Sequence, residues 1–226
     1  MRILPRRLPG EALSGHATRS GWDFPTRFFH WTLAALVTFS FVTGKVGESW
    51  LVWHMKSGYA IIALLLFRLA WGLVGSPEAR FASFVRRPAA ALAYVRSLSA
   101  GKRELPPGHN PLGGWSVVAM LACLALQVGT GLFSNDESSH EGPLAAKVSD
   151  AMVDRMTSIH GWNQYAILTL VVLHVAAISF YQWRLRLDVL GPMVHGSTSK
   201  RDSIVAAVLA ALAVCATYWL VVVYPR

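Results

Sequence analysis

Five long apolar stretches dominate this sequence, and they restrict what the chain can fold into. The hydrocarbon core of a bilayer is about 30 Å thick, and a helix crosses it with about 20 mostly apolar residues. Of the 226 residues, 54% are apolar and only 15% are charged, which lies outside the usual range of soluble domains. The sequence therefore predicts an all-α integral membrane bundle, with helices at about residues 28–44, 53–74, 115–133, 158–182 and 203–224.

The charges between these stretches predict on which side of the membrane each connection lies. Connections rich in Lys and Arg stay in the cytoplasm. Basic residues crowd the segment before the first stretch and the connections from the second to the third and from the fourth to the fifth, whereas the connection from the third to the fourth is acidic. We therefore expect a cytoplasmic amino terminus and an outer carboxyl terminus. Because the basic residues alternate with apolar stretches and form no single patch, the net charge of +9 does not indicate nucleic-acid binding.

The same pattern divides the chain into three parts. Residues 1–20 have no apolar core and are expected to form a flexible, basic cytoplasmic tail rather than a signal peptide. Residues 21–195 hold four of the apolar stretches and form a predicted four-helix core. Residues 196–226 add a fifth helix and a short outer end. Within the core, residues 88–96 favour a short helix with basic flanks, lying either on the membrane or simply at the protein surface.

Cysteine usage excludes several kinds of metal site. Cys123 and Cys215 are the only cysteines, and both fall within apolar stretches, where we expect them to pack against neighbouring helices. Without a Cys-x-x-Cys-His motif the chain cannot attach a c-type haem, and two distant thiols do not suffice for an iron–sulfur cluster or a zinc site. A redox centre in this chain must rest on other ligands.

Four of the eight histidines fall within or at the ends of the apolar stretches. An ionisable ring inside a membrane is costly and usually faces a cofactor, a cavity or the bundle interior. His160 and His174 are fourteen residues apart, about 3.9 helical turns and about 21 Å, so they project from nearly the same helix face at two depths. The alternating topology places His54 level with His160, near the outer side. It places His30 level with His174, near the cytoplasmic side.

Two facing pairs of histidines at two depths predict two haem b groups, each held between two imidazoles. Haem needs only two axial ligands from the protein, whereas zinc prefers four, and acidic residues are absent at these depths. An iron with two imidazole ligands has no open position, which suits electron transfer better than oxygen binding. The alternative for each single histidine is a hydrogen bond that only ties two helices together.

The interval of fourteen residues recurs from His54 to Arg68 and from His30 to Gly44. Arg68 should therefore point into the bundle at the depth of the inner pair, where a haem propionate would be its partner. Gly44 should let a flat macrocycle approach the first helix at the depth of the outer pair.

Three further residues complete the candidate site. Gly58, one turn after His54, and Gly161, next to His160, would also leave room for the macrocycle. Arg27 would reach either the propionates of the inner haem or the lipid headgroups.

The other histidines lie in predicted loops, where we expect them to face solvent. Among them only His140, which lies on the acidic outer loop, is also a candidate contact for a partner protein. These residues are His16, His109, His140 and His195.

The histidines belong to motifs that are specific when taken together. These are Trp22-Asp-x-Pro-x-Arg-x-x-His30-Trp31, His54-x-x-x-Gly58, Arg68-x-x-Trp71-Gly72, Gly108-His109-Asn110-Pro111-x-Gly113-Gly114, and the spaced His160 and His174. Over about residues 21–195 the chain resembles the bacterial cytochrome b561 family, which includes the cytochrome b subunits of nickel–iron hydrogenases. The resemblance implies a bacterial inner-membrane protein whose four-helix core binds two haems b, with ligands from the first, second and fourth helices. The fifth segment departs from this pattern and is expected to pack on the core, dock a partner or face lipid.

The resemblance also implies a function in electron transfer. Relatives similar to this chain pass electrons between the quinone pool, ubiquinone or menaquinone, and a redox partner such as a periplasmic c-type cytochrome or a dehydrogenase. Oxidation of superoxide with reduction of quinone is one alternative, and anchoring a hydrogenase or dehydrogenase in the membrane is another. A third is a plain anchor whose histidines only hold helices together. Candidate quinone contacts are Gln127 and Thr130 on the third helix, or Lys102 and His109 at the cytoplasmic surface.

Overall fold

The computed structural model of the protein describes residues 21–99, 110–136, 140–196 and 199–225. The tail expected at residues 1–20 lies outside these ranges. Within them the fold is helical, and the only β pairing is an isolated bridge between Asn135 and Glu141. The α-helices in chain order are α1 (Phe24–Val46), α2 (Leu51–Val74), α3 (Phe81–Phe84), α4 (Pro88–Ser99), α5 (Pro111–Gly131), α6 (Asp150–Ser179), α7 (Gly191–Val194) and α8 (Lys200–Tyr218). π-Helical turns extend α6 to Arg184 and α8 to Val223.

Within the ranges that the structure describes, four helices are long and apolar enough to cross a membrane. Helix α1 has 23 residues, enough for a crossing, but it contains Arg27, His30 and Lys45 and several hydroxyl side chains, and it is not among the four. The predicted all-α membrane bundle is therefore confirmed, with one fewer such helix than the sequence predicted. The four segments are Leu51–Val74, Pro111–Gly131, Asp150–Arg184 and Lys200–Val223.

Side-chain caps determine where α1 and α5 begin. The Asp23 carboxylate accepts a hydrogen bond from the backbone N–H of Thr26 at 2.7 Å. The Asn110 side-chain oxygen accepts one from the backbone N–H of Gly113, also at 2.7 Å. Such caps satisfy donors that have no partner within the helix. Gly47, with φ of 74°, ends α1 in the left-handed conformation that favours glycine.

Helix α2 lies at the centre of the bundle. It packs against α1, α5 and α8, and its buried side chains include Ile61, Leu65 and Trp71. Helices α1 and α2 form one closely packed pair, and α5 and α6 form another. On the outside of the bundle, Leu73 is 72% exposed and Trp162 is 76% exposed. A surface that carries so many large apolar side chains is suited to lipid.

Helix α8, the predicted fifth segment, packs along α2. Its small residues Ala206, Ala213 and Thr217 are buried, and the two alanines lie in one cluster with Phe67 and Trp71 of α2. Small side chains at a helix contact let two backbones approach closely in a membrane. Of the roles expected for this segment, packing on the core is therefore the one that the structure supports.

Hydrogen bonds tie the start of α1 to the short helix α7, late in the chain. The backbone N–H of Trp22 donates to the carbonyl oxygen of Pro192 at 3.0 Å. The indole N–H of Trp31 donates to the carbonyl oxygen of Met193 at 3.1 Å. The two ends of the predicted core are thus held together on one side of the bundle.

The contact between α8 and α2 can be tested by overfilling it. Ala213→Leu adds a large side chain where almost no space is left, and we expect it to destabilise the protein by about 1–3 kcal/mol. Val214→Leu adds a methylene at the next position, which is 59% exposed, and should be close to neutral. Thermal unfolding of the two variants in detergent, followed by circular dichroism, compares them. Equal melting temperatures would contradict this packing of α8.

Candidate functional site

Two of the predicted ligand histidines face each other near one end of the bundle. His54 lies in the first turn of α2, and His160 lies in α6. Their ring centroids are 5.9 Å apart, and the ring planes are nearly perpendicular, at 83°. The structure therefore brings together the two residues that the sequence placed in the outer site.

Each of these two rings is held through its second nitrogen by a neighbouring helix. His54 Nδ1 lies 2.8 Å from the carbonyl oxygen of Ser40 in α1. His160 Nδ1 lies 2.9 Å from the carbonyl oxygen of Gln127 in α5. A carbonyl oxygen can only accept a hydrogen bond, so Nδ1 carries the proton in both rings. This leaves Nε2 of each neutral ring unprotonated and able to bind a metal.

The other two histidines form the second pair. The ring centroids of His30 in α1 and His174 in α6 are 6.3 Å apart, and their planes meet at 53°. The neighbouring Trp31 ring stands edge-on to His30, with centroids 4.9 Å apart. His30 Nδ1 is buried and has no hydrogen-bond partner among the residues that the structure describes. A buried nitrogen left in this way costs about 1–3 kcal/mol, a cost that the Nδ1 atoms of the first pair do not bear.

The spacing within both pairs fits a metal bound between two imidazoles. When the metal lies about 2 Å from each nitrogen, the ring centroids are about 6 Å apart. The two measured separations, 5.9 Å and 6.3 Å, match this value. The described ranges contain no group of three or more His, Cys, Asp or Glu side chains that could hold a metal ion. Two-histidine sites of this kind fit iron in a macrocycle, which supplies the other four ligands itself.

Glycines next to the histidines have two different surroundings. A Cβ atom at Gly58 or Gly161 would meet nothing within 4 Å, so open space lies beside both residues, as a bound macrocycle requires. A Cβ atom at Gly44 would lie only 2.9 Å from His54 Nδ1. The group for which Gly44 makes room is therefore the imidazole of a ligand, a contact that the sequence analysis did not foresee.

Arg68 is a buried cation close to the second pair. It is 3% exposed, and its guanidinium donates a hydrogen bond to the carbonyl oxygen of Ala79 at 3.1 Å. The guanidinium carbon lies 4.9 Å from the ring centroid of Phe81 and 5.9 Å from that of Phe29, and aromatic faces favour a cation. Phe29 directly precedes His30 in α1, so the guanidinium packs against the turn of α1 that carries this histidine.

Arg27 has partners that neither expectation for it included. Its guanidinium donates to the carbonyl oxygen of Val194 at 2.5 Å and to that of Gly196 at 3.1 Å. Carbonyl groups at the end of a helix lack donors within the helix, and a basic side chain satisfies them. Arg27 therefore strengthens the connection between α1 and α7, and its contacts with propionates or headgroups remain predictions.

Gln127 links α5 to α6 with its side chain as well as its backbone. Its amide nitrogen donates to the carbonyl oxygen of His160 at 3.1 Å, and its amide oxygen accepts from Asn163 at 2.7 Å. The Asn163 amide also donates to the carbonyl oxygen of Cys123, at 2.9 Å. Thr130 also lies at this contact, with its hydroxyl 3.4 Å from His160 Nδ1. Gln127 and Thr130, two of the four residues expected as quinone contacts, are thus engaged in holding α6.

The remaining predicted residues lie elsewhere. The His140 ring is 3.4 Å from the Asp136 carboxylate in the loop between α5 and α6, and His195 is exposed after α7. The other residues discussed from the sequence fall outside the described ranges: His16, Lys102 and His109.

Sequence reasoning missed three residues that position the ligands, namely Ser40, Gly131 and Asn163. A signal for Gly131 was present in the sequence. The dipeptide Thr-Gly occurs at residues 43–44, near the end of α1, and again at residues 130–131, at the end of α5. These are the two helices whose carbonyl groups hold the ligand rings.

A bundle of apolar helices with facing pairs of half-buried histidines is the architecture of a membrane cytochrome of the b type, in which haem is bound without covalent attachment. Comparison with known families agrees. The chain belongs to the prokaryotic cytochrome b561 family, whose sequence profile matches residues 21–196. No curated protein and no solved structure matches the chain. The family assignment makes it a multi-pass bacterial membrane protein that binds haem b and acts in electron transfer.

The interhelical role of Gln127 gives a direct test. Gln127→Ala removes two hydrogen bonds to α6 and leaves the Asn163 amide with one partner fewer, so we expect a loss of about 1–2 kcal/mol in stability. Gln164→Ala is the matched control, because the Gln164 amide bonds only within its own helix, to Gly161. Thermal unfolding in detergent measures both variants. A melting temperature for Gln127→Ala no lower than that of the control would contradict the assigned role.

Proposed function

We propose that the protein is a di-haem cytochrome b that conducts electrons across the membrane. One haem b would lie between His54 and His160, and a second between His30 and His174. The observation that carries this proposal is the presence of two ring pairs, each at ligation distance. Helix α6 contributes one ring to each pair, fourteen residues apart, which is about 21 Å along the helix. Such an arrangement connects the two sides of a bilayer.

The protein's own residues hold and tune these sites. Haem, when bound, supplies reversible one-electron transfer at its iron. Histidines on both faces exclude other molecules from the metal, and the carbonyl groups of Ser40 and Gln127 keep two of the rings in the ligating tautomer. Arg68 is the proposed partner of the propionates in the His30–His174 site, since a buried cation stabilises an anion nearby.

We place the chain in the inner membrane with five crossings, because α1 runs beside α2 and brings a ligand to the site although it is the least apolar of the five long helices. The basic connections then lie in the cytoplasm and the acidic loop outside. In this orientation the amino terminus is cytoplasmic, the carboxyl terminus is periplasmic, and the His54–His160 pair is the outer one.

A quinone, ubiquinone or menaquinone, is the proposed partner on the lipid side, and a periplasmic c-type cytochrome or a dehydrogenase is proposed at the aqueous side. A haem held by two histidines would suit such partners, because electrons could pass without binding of the partner at the metal.

The stoichiometry of haem tests the proposal. Pyridine haemochrome assay of the purified protein should give two haems b per chain. His174→Ala removes one of the two imidazoles of the inner pair and should leave one haem per chain, with the outer site intact. His195→Ala, which changes an exposed histidine outside both pairs, should keep two. Wild-type protein without haem b, or His174→Ala with two, would contradict the proposal.

Reduction by a quinol tests the partner. A short-chain ubiquinol or menaquinol, added without oxygen to the oxidised protein, should produce the absorption bands of reduced haem b. The double variant His54→Ala and His174→Ala should show no such change, because it lacks a ligand in both sites. Absence of haem reduction by either quinol in the wild-type protein would exclude quinones as partners.

A further inference from the structure

The outer pair is held by a carbonyl–glycine device that occurs twice. In each copy a backbone carbonyl oxygen accepts the N–H of the ligand ring, and a glycine four residues later leaves room for that ring. In α1, the carbonyl oxygen of Ser40 accepts a hydrogen bond from His54 Nδ1, and Gly44 follows four residues later. In a helix the carbonyl of one residue points toward the residue four positions on. A ring that binds this carbonyl must therefore lie beside that residue, and a Cβ at Gly44 would lie 2.9 Å from the His54 ring. Glycine is what permits the contact.

Helix α5 repeats the arrangement for the second ligand. The carbonyl oxygen of Gln127 accepts a hydrogen bond from His160 Nδ1, and Gly131 follows four residues later. A Cβ at Gly131 would lie 2.9 Å from His160 Cε1, the same distance as in α1. The two outer ligands are thus positioned in the same way by two different helices.

A buried threonine precedes the glycine in both copies. Thr43 is 0% exposed and Thr130 is 4% exposed. The hydroxyl of Thr43 lies 3.1 Å from the Ser40 carbonyl oxygen, and that of Thr130 lies 3.1 Å from the Gln127 carbonyl oxygen. Each hydroxyl also bonds the carbonyl one residue earlier. The Thr130 hydroxyl reaches His160 Nδ1 at 3.4 Å as well, so the Gln127 carbonyl oxygen, at 2.9 Å, is the closer partner of that nitrogen.

The inner pair has no such device. His30 Nδ1 is buried without a partner, and the His174 ring makes no hydrogen bond with any residue that the structure describes. The ring planes differ as well, at 53° for the inner pair and 83° for the outer pair. The two sites therefore share their ligand type but differ in what holds the ligands.

We infer that Ser40 with Gly44, and Gln127 with Gly131, are positioning residues that give the outer haem nearly perpendicular ligand planes and a lower midpoint potential than the inner haem. The inference rests on the proposed function, since it concerns the haem between His54 and His160. An imidazole whose N–H donates to a carbonyl is a more basic ligand, and a more basic ligand favours ferric over ferrous iron.

A redox titration of the wild-type protein followed by electron paramagnetic resonance tests the inference without any substitution. Perpendicular ligand planes leave two iron d orbitals nearly equal in energy, which makes the ferric signal strongly anisotropic. We expect two low-spin signals, of which the more anisotropic one disappears at the lower potential. The reverse order, or two signals of equal anisotropy, would overturn the inference.

Glycine substitutions assign the effect to the device. Gly131→Ala should keep two haems, change the largest g value of the more anisotropic signal and raise its midpoint potential, because the added Cβ displaces the His160 ring from its carbonyl. Gly129→Ala is the control on the same helix, since a Cβ there would meet nothing within 4 Å, and it should leave both signals unchanged. Unchanged signals in Gly131→Ala would overturn the inference.

The possible failures can be told apart. If Gly131→Ala loses the outer haem, the signal that remains should be the less anisotropic one with the higher potential, and the opposite would count against the inference. If the wild-type protein binds no haem at the outer pair, the proposed function fails first. Two bound haems with the wrong order of potentials would remove only the present inference.

Discussion

An imidazole ring inside a helical bundle needs a partner for each of its two nitrogens, and the rest of this structure depends on how that need is met. In the outer pair, one nitrogen of each ring donates to a backbone carbonyl of the adjacent helix, so the other is left free to bind a metal, and the two ring centroids are 5.9 Å apart. A metal-binding pair arises because both rings are restrained in tautomer and direction at once. The same contacts join α1 to α2 and α5 to α6, so ligand placement and helix packing depend on one set of interactions.

The two helix pairs carry the site, and the other elements stabilise their arrangement. Central α2 buries its apolar side chains against three neighbours, and α8 covers one side of it with small residues. The link between α1 and α7 holds the start of the family domain against its end, through Trp31 and Arg27. This link lies close to His30, so it also restrains the helix that supplies an inner ligand. Packing at the periphery thereby limits the freedom of the rings inside.

Much of this could be predicted from sequence because helix periodicity acts on residue types that are rare in membranes. Histidines fourteen residues apart must share a face of α6, and alternating topology then selects their partners, His30 and His54. The carbonyl partners could not be predicted, because every residue has a carbonyl group and no residue type marks the one that is used. Only the glycine that makes room for the ring can be recognised in the sequence. Gly44 was expected to make room for the macrocycle, and the structure places it against a ligand ring. The partners of Arg27 could not be predicted for the same reason, since they are carbonyl groups more than 160 residues away.

The most direct test of the account is to locate iron in crystals of the purified protein by anomalous X-ray scattering at the iron absorption edge. The account predicts two iron peaks for each chain, one between the His54 and His160 rings and one between the His30 and His174 rings, about 21 Å apart along α6. A single peak, or peaks away from these four rings, would contradict it.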